Sequence, residues 1–223
     1  NYIFPANVGS NFYGIEGYKT IAYEICMDLD WKVPDKVFMP VAMADGFSGT
    51  WRGFKDFYQL GLINSLPKMF SAELFGSLKH SLENDLEILE EVKTKPTIAP
   101  TLATSIGTYQ GLWTLKDSAG GSILVDNYEM KEMQLLLGSH GLYAEPASLA
   151  SLVAVKKASL EGKIHPDEIV VAVLTSTGLK DPEVTSKIVP NVPVIENNLK
   201  DLLRALKSSY NFDPAKNDFL NNK

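Results

Sequence analysis

The sequence holds one cysteine, Cys26, so no disulfide can form within the chain. That removes a disulfide-stapled scaffold from consideration and favours a reducing, cytoplasmic compartment. Cys26 lies in the apolar stretch 21–29 and reads as core rather than as a nucleophile. Basic clusters are missing too: 21 lysines and arginines face 27 aspartates and glutamates, for a net charge of −6. A mildly acidic chain without a basic patch makes a poor nucleic-acid binder and offers an anionic membrane surface little to hold. No apolar run approaches the roughly 20 residues that span a bilayer. Metal-ligand spacing is absent, because His80, His140 and His165 stand far apart with no HxxxH or CxxC pattern. There is no GxGxxG, no Walker-type loop and no GxSxG elbow, so a dinucleotide site, a P-loop and a nucleophile elbow have no direct support.

What is present is an ordinary globular composition, 45% hydrophobic and 22% charged. Residues 1–15, rich in Asn, Gly, Pro and Ser, read as loop. Apolar residues at helical spacing predict a helix from Glu16 to Leu29. A short buried strand is expected over Lys36–Ala42, followed by a helix capped by Ser48 and stopped at Gly61. Lys68–Leu74 reads as a second strand. Leu78, Leu82, Leu86 and Leu89 form a stripe that predicts a half-solvated surface helix. Pro96 and Pro100 bracket a loop. Further helices are expected over Thr108–Lys116, over Asn127–Ser139 with Asp126 as cap, and from Glu145-Pro146 onward. Strands are expected over Ser122–Asp126 and over the β-branched run Ile169–Thr175. Pro182, Pro190 and Pro193 mark an exit loop, Asn197–Ser208 a last amphipathic helix, and 211–223 a fraying tail. Strands alternating with helices of ten or more residues predict an α/β fold, a parallel sheet flanked by helices.

Ligands of such sheets bind beyond the carboxyl ends of the strands, and two exits there carry polar or small residues. The first is the strand-to-helix turn Ala42-Met43-Ala44-Asp45-Gly46. Helix N-termini attract anions, and small residues let them approach. The same turn also suits simple packing, and the Asp45 carboxylate would repel a phosphate unless it points away. The second is Thr175-Ser176-Thr177-Gly178, whose hydroxyls could bond a ligand or merely cap the strand end.

Four stretches, in order, resemble threonine synthase and its relatives in the β-family (fold type II) of pyridoxal-phosphate-dependent enzymes. They are the helix beginning Glu16-Gly17-Tyr18-Lys19-Thr20, the segment Met39–Lys55, the tetrapeptide Tyr109-Gln110-Gly111-Leu112, and the span from Glu145-Pro146-Ala147-Ser148 to Leu179-Lys180-Asp181-Pro182. The resemblance implies the larger domain of that fold over residues 16–190, with a C-terminal helix and tail over 191–223. It implies pyridoxal 5'-phosphate as cofactor, its phosphate cradled by Ala42, Met43, Ala44, Asp45 and Gly46, and its ring nitrogen faced by Thr175. Only Gly46 keeps the glycine character usual for that loop. A neutral hydroxyl at the ring nitrogen suits elimination and replacement chemistry better than transamination.

The resemblance also implies a lysine that carries the cofactor, in a Ser-x-Lys segment preceding the Glu16 helix. The lysines of this chain fall in surface-like helices or loops, and none matches that motif. Residues 1–15 then correspond to the return from a smaller N-terminal domain, and a preceding segment or complementary chain is expected to supply the lysine. The implied activity is that of a lyase or synthase acting on O-phosphohomoserine or a related hydroxy-amino-acid derivative, and the implied assembly is the homodimer common in the family. The alternative is a non-catalytic homologue that keeps the fold as a binding or regulatory protein.

Overall fold

The computed structural model describes residues 12–189 and 191–213. Its centre is a sheet of four parallel strands: β1 (Lys36–Pro40), β2 (Lys68–Glu73), β3 (Gly121–Leu124) and β4 (Val170–Ala172). The spatial order is β3-β2-β1-β4. Lys36 stands opposite both Lys68 and Val170, and Phe70 stands opposite Gly121. Both faces of the sheet are covered, as the apolar strands require. Val37, Met39 and Met69 point to one core with Phe47, Trp51, Phe54, Leu112 and Leu115. Phe38, Phe70, Ala72 and Ile123 point to the other, with Met130, Ala150 and Ala154. Cys26 is buried in the first core, and burial pushes its thiol up.

The helices connect these strands. α1 (Phe12–Gly17) and α2 (Lys19–Asp28) precede β1, and α3 (Asp45–Gln59) links β1 to β2. α4 (Ser77–Glu83) and α5 (Tyr109–Asp117) link β2 to β3. α6 (Asn127–Ser139) and α7 (Pro146–Leu160) link β3 to β4. α8 (Pro182–Ser186) and α9 (Leu199–Tyr210) follow. The chain divides into two compact units, one ending at Pro182 and the other beginning at Glu183, and the sheet lies wholly in the first.

Two motif stretches meet in the packing of α1 and α2 on α3. A Cβ on Gly49 would come 2.5 Å from Ile15 O and Tyr18 Cβ, and one on Gly53 would come 2.5 Å from Lys19 O. Glycines four apart thus cut a notch that lets the helices touch. Charges flank it: Arg52 pairs with Glu16 at 2.9 Å, and Lys19 pairs with Asp56 at 2.8 Å. Tyr23 Oη donates to Asp56 at 2.9 Å. Burial alone would raise the Asp56 carboxyl, but the Lys19 and Tyr23 donors outweigh it and hold the group below the usual aspartate range.

Several boundaries differ from the sequence expectations, each for a local reason. The single helix 16–29 is two, and helical backbone already begins at Phe12 inside the expected loop. Residues 1–11 and 214–223 lie outside the described residues, as does Pro190. α3 starts at Asp45, not after Ser48, because Ala44 turns the chain in a left-handed conformation (φ 65°). Ser48 is instead buried inside the helix, its Oγ 3.2 Å from Thr114 Oγ1. The leucine stripe is helical only to Glu83. Asp85 turns left-handed (φ 48°), and Leu86 N–H donates back to Ser81 O at 2.9 Å, which ends the helix. Leu82 and Leu89 still pack on the core, as a partly buried cover. β4 keeps only three of the seven expected residues, and Pro182 opens a short helix rather than extending the exit loop. Lys36 departs from the surface placement expected for lysines: it is buried on β1 with its Nζ paired to Glu168. The Asp126 cap is as expected and is completed by Glu129 into a reciprocal capping box.

Candidate active site

Sheet topology locates the site before any side chain does. β1 is followed by β2 and then β3 on one side, whereas β4 joins on the other side of β1. The chain leaves β1 toward β2 and returns only later to place β4 on the other side of β1, so the carboxyl ends of β1 and β4 lie side by side where the strand order changes side, and a crevice opens beyond them. A cavity of about 830 Å³ lies there, lined by Met39, Pro40 and the turn 42–47 on the β1 side and by residues 171–176 on the β4 side. Tyr18, Glu24 and Asp28 close one flank, and Thr101 and Leu102 another.

The turn is built for close approach. Val41 N–H still pairs with Ala72 O at 2.9 Å, and then the chain reverses through Ala44. The left-handed conformation costs a residue with a Cβ about 1 kcal/mol. Here the Ala44 methyl is buried against α5 at Gly111, where any Cβ would come within 2.7 Å of it. Ser48 N–H closes the first helical bond to Ala44 O at 2.8 Å. The N–H groups of Gly46 and Phe47, ahead of it, have no intrahelical acceptor by helix geometry, and both residues line the cavity. The Asp45 carboxylate is turned toward α5, with Oδ1 accepting from Gln110 Nε2 at 2.8 Å.

The opposite wall is fixed by α7. Thr175 is exposed to the cavity, and its Oγ1 lies 2.9 Å from the Oγ of fully buried Ser148. Ser151 Oγ donates to Val173 O at 3.0 Å, so two serines of α7 hold the segment after β4. Ahead of α7, Glu145 N–H donates to Ser176 O and Gly178 N–H donates to Tyr143 O, at 3.3 and 3.1 Å. Ala144 and Thr177 form an antiparallel bridge between the same two segments. Pro146 at the first helical position of α7 fits this tight entry. The buried Glu145 and Lys180 also line the cavity.

The structure thus brings Ala42, Met43, Ala44, Asp45, Gly46 and Thr175 to one cavity, although some 130 residues separate the two groups in the chain. Sequence reasoning did not assign roles to Ser148, Gln110 or Lys180. All three sit inside quoted motifs, but nothing in their spacing says which of them reaches the cavity. The residues present fit a small phosphorylated ligand: a small-residue turn at a helix N-terminus, a neighbouring carboxylate engaged elsewhere, and hydroxyls across a cavity of ligand size.

Comparison with known proteins bears on family and fold. Residues 1–176 match the family described as "Pyridoxal-phosphate dependent enzyme". Threonine synthase from Methanocaldococcus jannaschii is 35% identical over 202 residues, covering 88% of this chain and 50% of that protein. Threonine synthase from Halalkalibacterium halodurans is 32% identical over 200 residues, covering 88% and 54%. Among solved structures, serine racemase from Dictyostelium discoideum superposes with a TM-score of 0.58 at 26% identity, covering 75% of this chain and 50% of that one. Threonine deaminase isoform 2 from Solanum lycopersicum has the same fold, with a TM-score of 0.62 at 21% identity over 77% and 48% of the two chains. The chain spans about half the length of the curated relatives it matches. On the family match and the threonine synthase relatives, this chain belongs to the pyridoxal-phosphate-dependent enzyme family.

Proposed function

We propose that this chain forms the phosphate-cradling part of a pyridoxal-phosphate-dependent lyase or synthase of the threonine synthase type. Its substrate is an amino acid carrying a phosphorylated or free hydroxyl, of the O-phosphohomoserine class. The observation that carries the proposal is the convergence of the Ala42–Gly46 turn and Thr175 on one cavity at the switch point of the sheet. The threonine synthase relatives support the reaction branch. Bound pyridoxal phosphate supplies an electron sink for carbanion chemistry on the amino acid. The protein's part is to hold and orient. Backbone N–H groups at Gly46 and Phe47 bind the phosphate, aided by the α3 dipole. Thr175 Oγ1 would face the ring nitrogen as a neutral hydrogen-bond donor, and its lone pairs would then accept from Ser148 Oγ, so the buried serine would set the direction of the hydroxyl pair. The lysine that carries the cofactor lies, on this reading, on a segment preceding residue 16 or on a complementary chain. The same reading takes the protein as cytoplasmic, with which the lone, unpaired Cys26 is consistent, and as a homodimer, which follows from the family resemblance alone.

The test is a titration of the full-length protein with pyridoxal phosphate, followed by borohydride reduction and peptide mapping. A saturable absorbance band with the label on one lysine is the expected result. Label spread over many surface lysines, or no saturable band, overturns the proposal and favours a non-catalytic homologue. Label on Lys180 alone would relocate the attachment point into this chain.

A further inference from the structure

The tetrapeptide Tyr109–Leu112 is a motif that the proposed function leaves without a task, yet Thr108, Gln110 and Gly111 at the start of α5 each touch the cofactor turn. Thr108 Oγ1 donates to Met43 O at 2.8 Å. Gln110 Nε2 donates to Asp45 Oδ1 at 2.8 Å. Gly111 leaves the space that the Ala44 methyl fills. One turn on, Thr114 meets Ser48. The turn that holds the phosphate is therefore gripped from behind, and the grip includes the one feature of the turn that opposes an anion. Asp45 sits in the first turn of α3, where a phosphate would also sit. Two negative groups on one helical turn repel, more strongly where water is excluded. A carboxylate that accepts from an amide on the α5 side is held by that contact and shares its charge with a donor.

We propose that Gln110 is a positioning residue for the cofactor phosphate: its side-chain amide holds the Asp45 carboxylate on the α5 side of the turn and so keeps the α3 N-terminus open to a phosphate. The inference rests on the phosphate seat proposed above, and it concerns a neutral residue that does not touch the ligand. It assigns the glutamine of the motif to electrostatics and not to packing, which makes the two roles separable by removing the charge that the glutamine restrains.

The experiment compares the dissociation constants of pyridoxal phosphate and pyridoxal, by fluorescence titration of the full-length protein, and takes their ratio as the contribution of the phosphate. Wild type should bind the phosphorylated form at least about tenfold more tightly. Gln110→Leu should lower that ratio by about tenfold, because the carboxylate loses the amide that shares its charge on the α5 side. Gln110→Leu combined with Asp45→Asn should restore it, since no charge is left to restrain. Asp45→Asn alone, which keeps an amide partner for Gln110 and serves if Gln110→Leu does not fold, should match or exceed the wild-type ratio. An unchanged ratio in Gln110→Leu overturns the inference and leaves the phosphate seat standing. A lowered ratio that the double variant does not restore also overturns it, because Gln110 would then act as a brace. A ratio lowered by Asp45→Asn alone does the same. A wild-type ratio near one overturns the phosphate seat itself and the inference with it.

Discussion

Glu73 shows how a single residue can set the pH response of this fold. It is the last residue of β2 and is buried. One carboxylate oxygen accepts from Ser71 Oγ at 3.0 Å and from Ser122 Oγ, and the other accepts from Leu78 N–H at 3.0 Å. Lys79 N–H donates to it as well. Burial pushes the carboxyl up, and these donors only partly offset it. A raised folded value means that the folded state binds its proton more tightly than the unfolded chain does. The associated stability is complete below the usual glutamate value of 4.5 and is lost as pH rises through the folded value. Glu73→Gln should therefore remove the part of the decline in melting temperature above about pH 5 that this group causes. The amide fits, because its oxygen can take the Leu78 and Lys79 N–H groups while its NH₂ faces two hydroxyls that are able to turn and accept. Glu73→Leu leaves all four donors without an acceptor and should cost about 2–4 kcal/mol in urea unfolding at neutral pH. A pH profile of Glu73→Gln that parallels wild type would show that the carboxylate is not the titrating group.

At the scale of elements, Gly49 and Gly53 of α3 and Gly138 of α6 make opposite predictions from the same substitution. Gly49→Ala and Gly53→Ala each drive a methyl into α1–α2 backbone at 2.5 Å, so each should destabilise by about 1–3 kcal/mol or more. Gly138 is helical and has nothing within 4 Å of an added Cβ. Gly138→Ala should stabilise by about 0.5–1 kcal/mol through helix propensity alone. Urea midpoints of the three variants check both signs, and a stabilised Gly53→Ala would mean that the helices do not meet as described. This contrast also marks what the sequence makes legible. The run from Glu16 to Leu29 shows its apolar period, and Val37 to Met39 shows a buried strand, because burial is written in the side chains themselves. The notch at Gly49 and Gly53 and the start of α3 at Asp45 depend on backbone approach and on a left-handed alanine. Neither is specified by residue type, so Ser48 looked like a cap. The leucine stripe misled for a related reason: Leu82 and Leu89 do face the core, but Asp85 breaks the helix between them. Asn84-Asp85 was the available signal, as both residue types tolerate that turn. The cavity was legible only as two separate exits, because the order of strands that joins them is a property of the whole sheet.

Charge around the cavity is a property of the whole sheet and its cover, since its residues come from α2, from the end of β1 and the start of α3, from the start of α7 and from β4 and the segment after it. Glu24, Asp28, Asp45 and Glu145 line it, while Lys180 is the one basic side chain among the described residues of the lining. The chain as a whole carries −6. An anionic ligand thus meets attraction only at short range, from the α3 N-terminus and Lys180, against a longer-ranged negative background. Lys180 is held at its place in the wall: the turn Gly178–Lys180 is capped by Thr177 Oγ1, and Gly178 N–H is bonded to Tyr143 O. Its contribution should be electrostatic and therefore screened by salt. Lys180→Met is expected to weaken pyridoxal phosphate binding about three- to tenfold at about 20 mM NaCl, and the gap to wild type should largely close by about 500 mM, where the screening length falls to a few ångströms. A role in packing the Gly178–Lys180 turn would instead give a deficit that salt leaves unchanged. The same titrations at both salt concentrations, with Lys180→Arg as the variant that keeps the charge, separate the two. If Lys180→Arg fails as fully as Lys180→Met and the deficit persists in salt, the lysine acts through the shape of the wall and not through its charge.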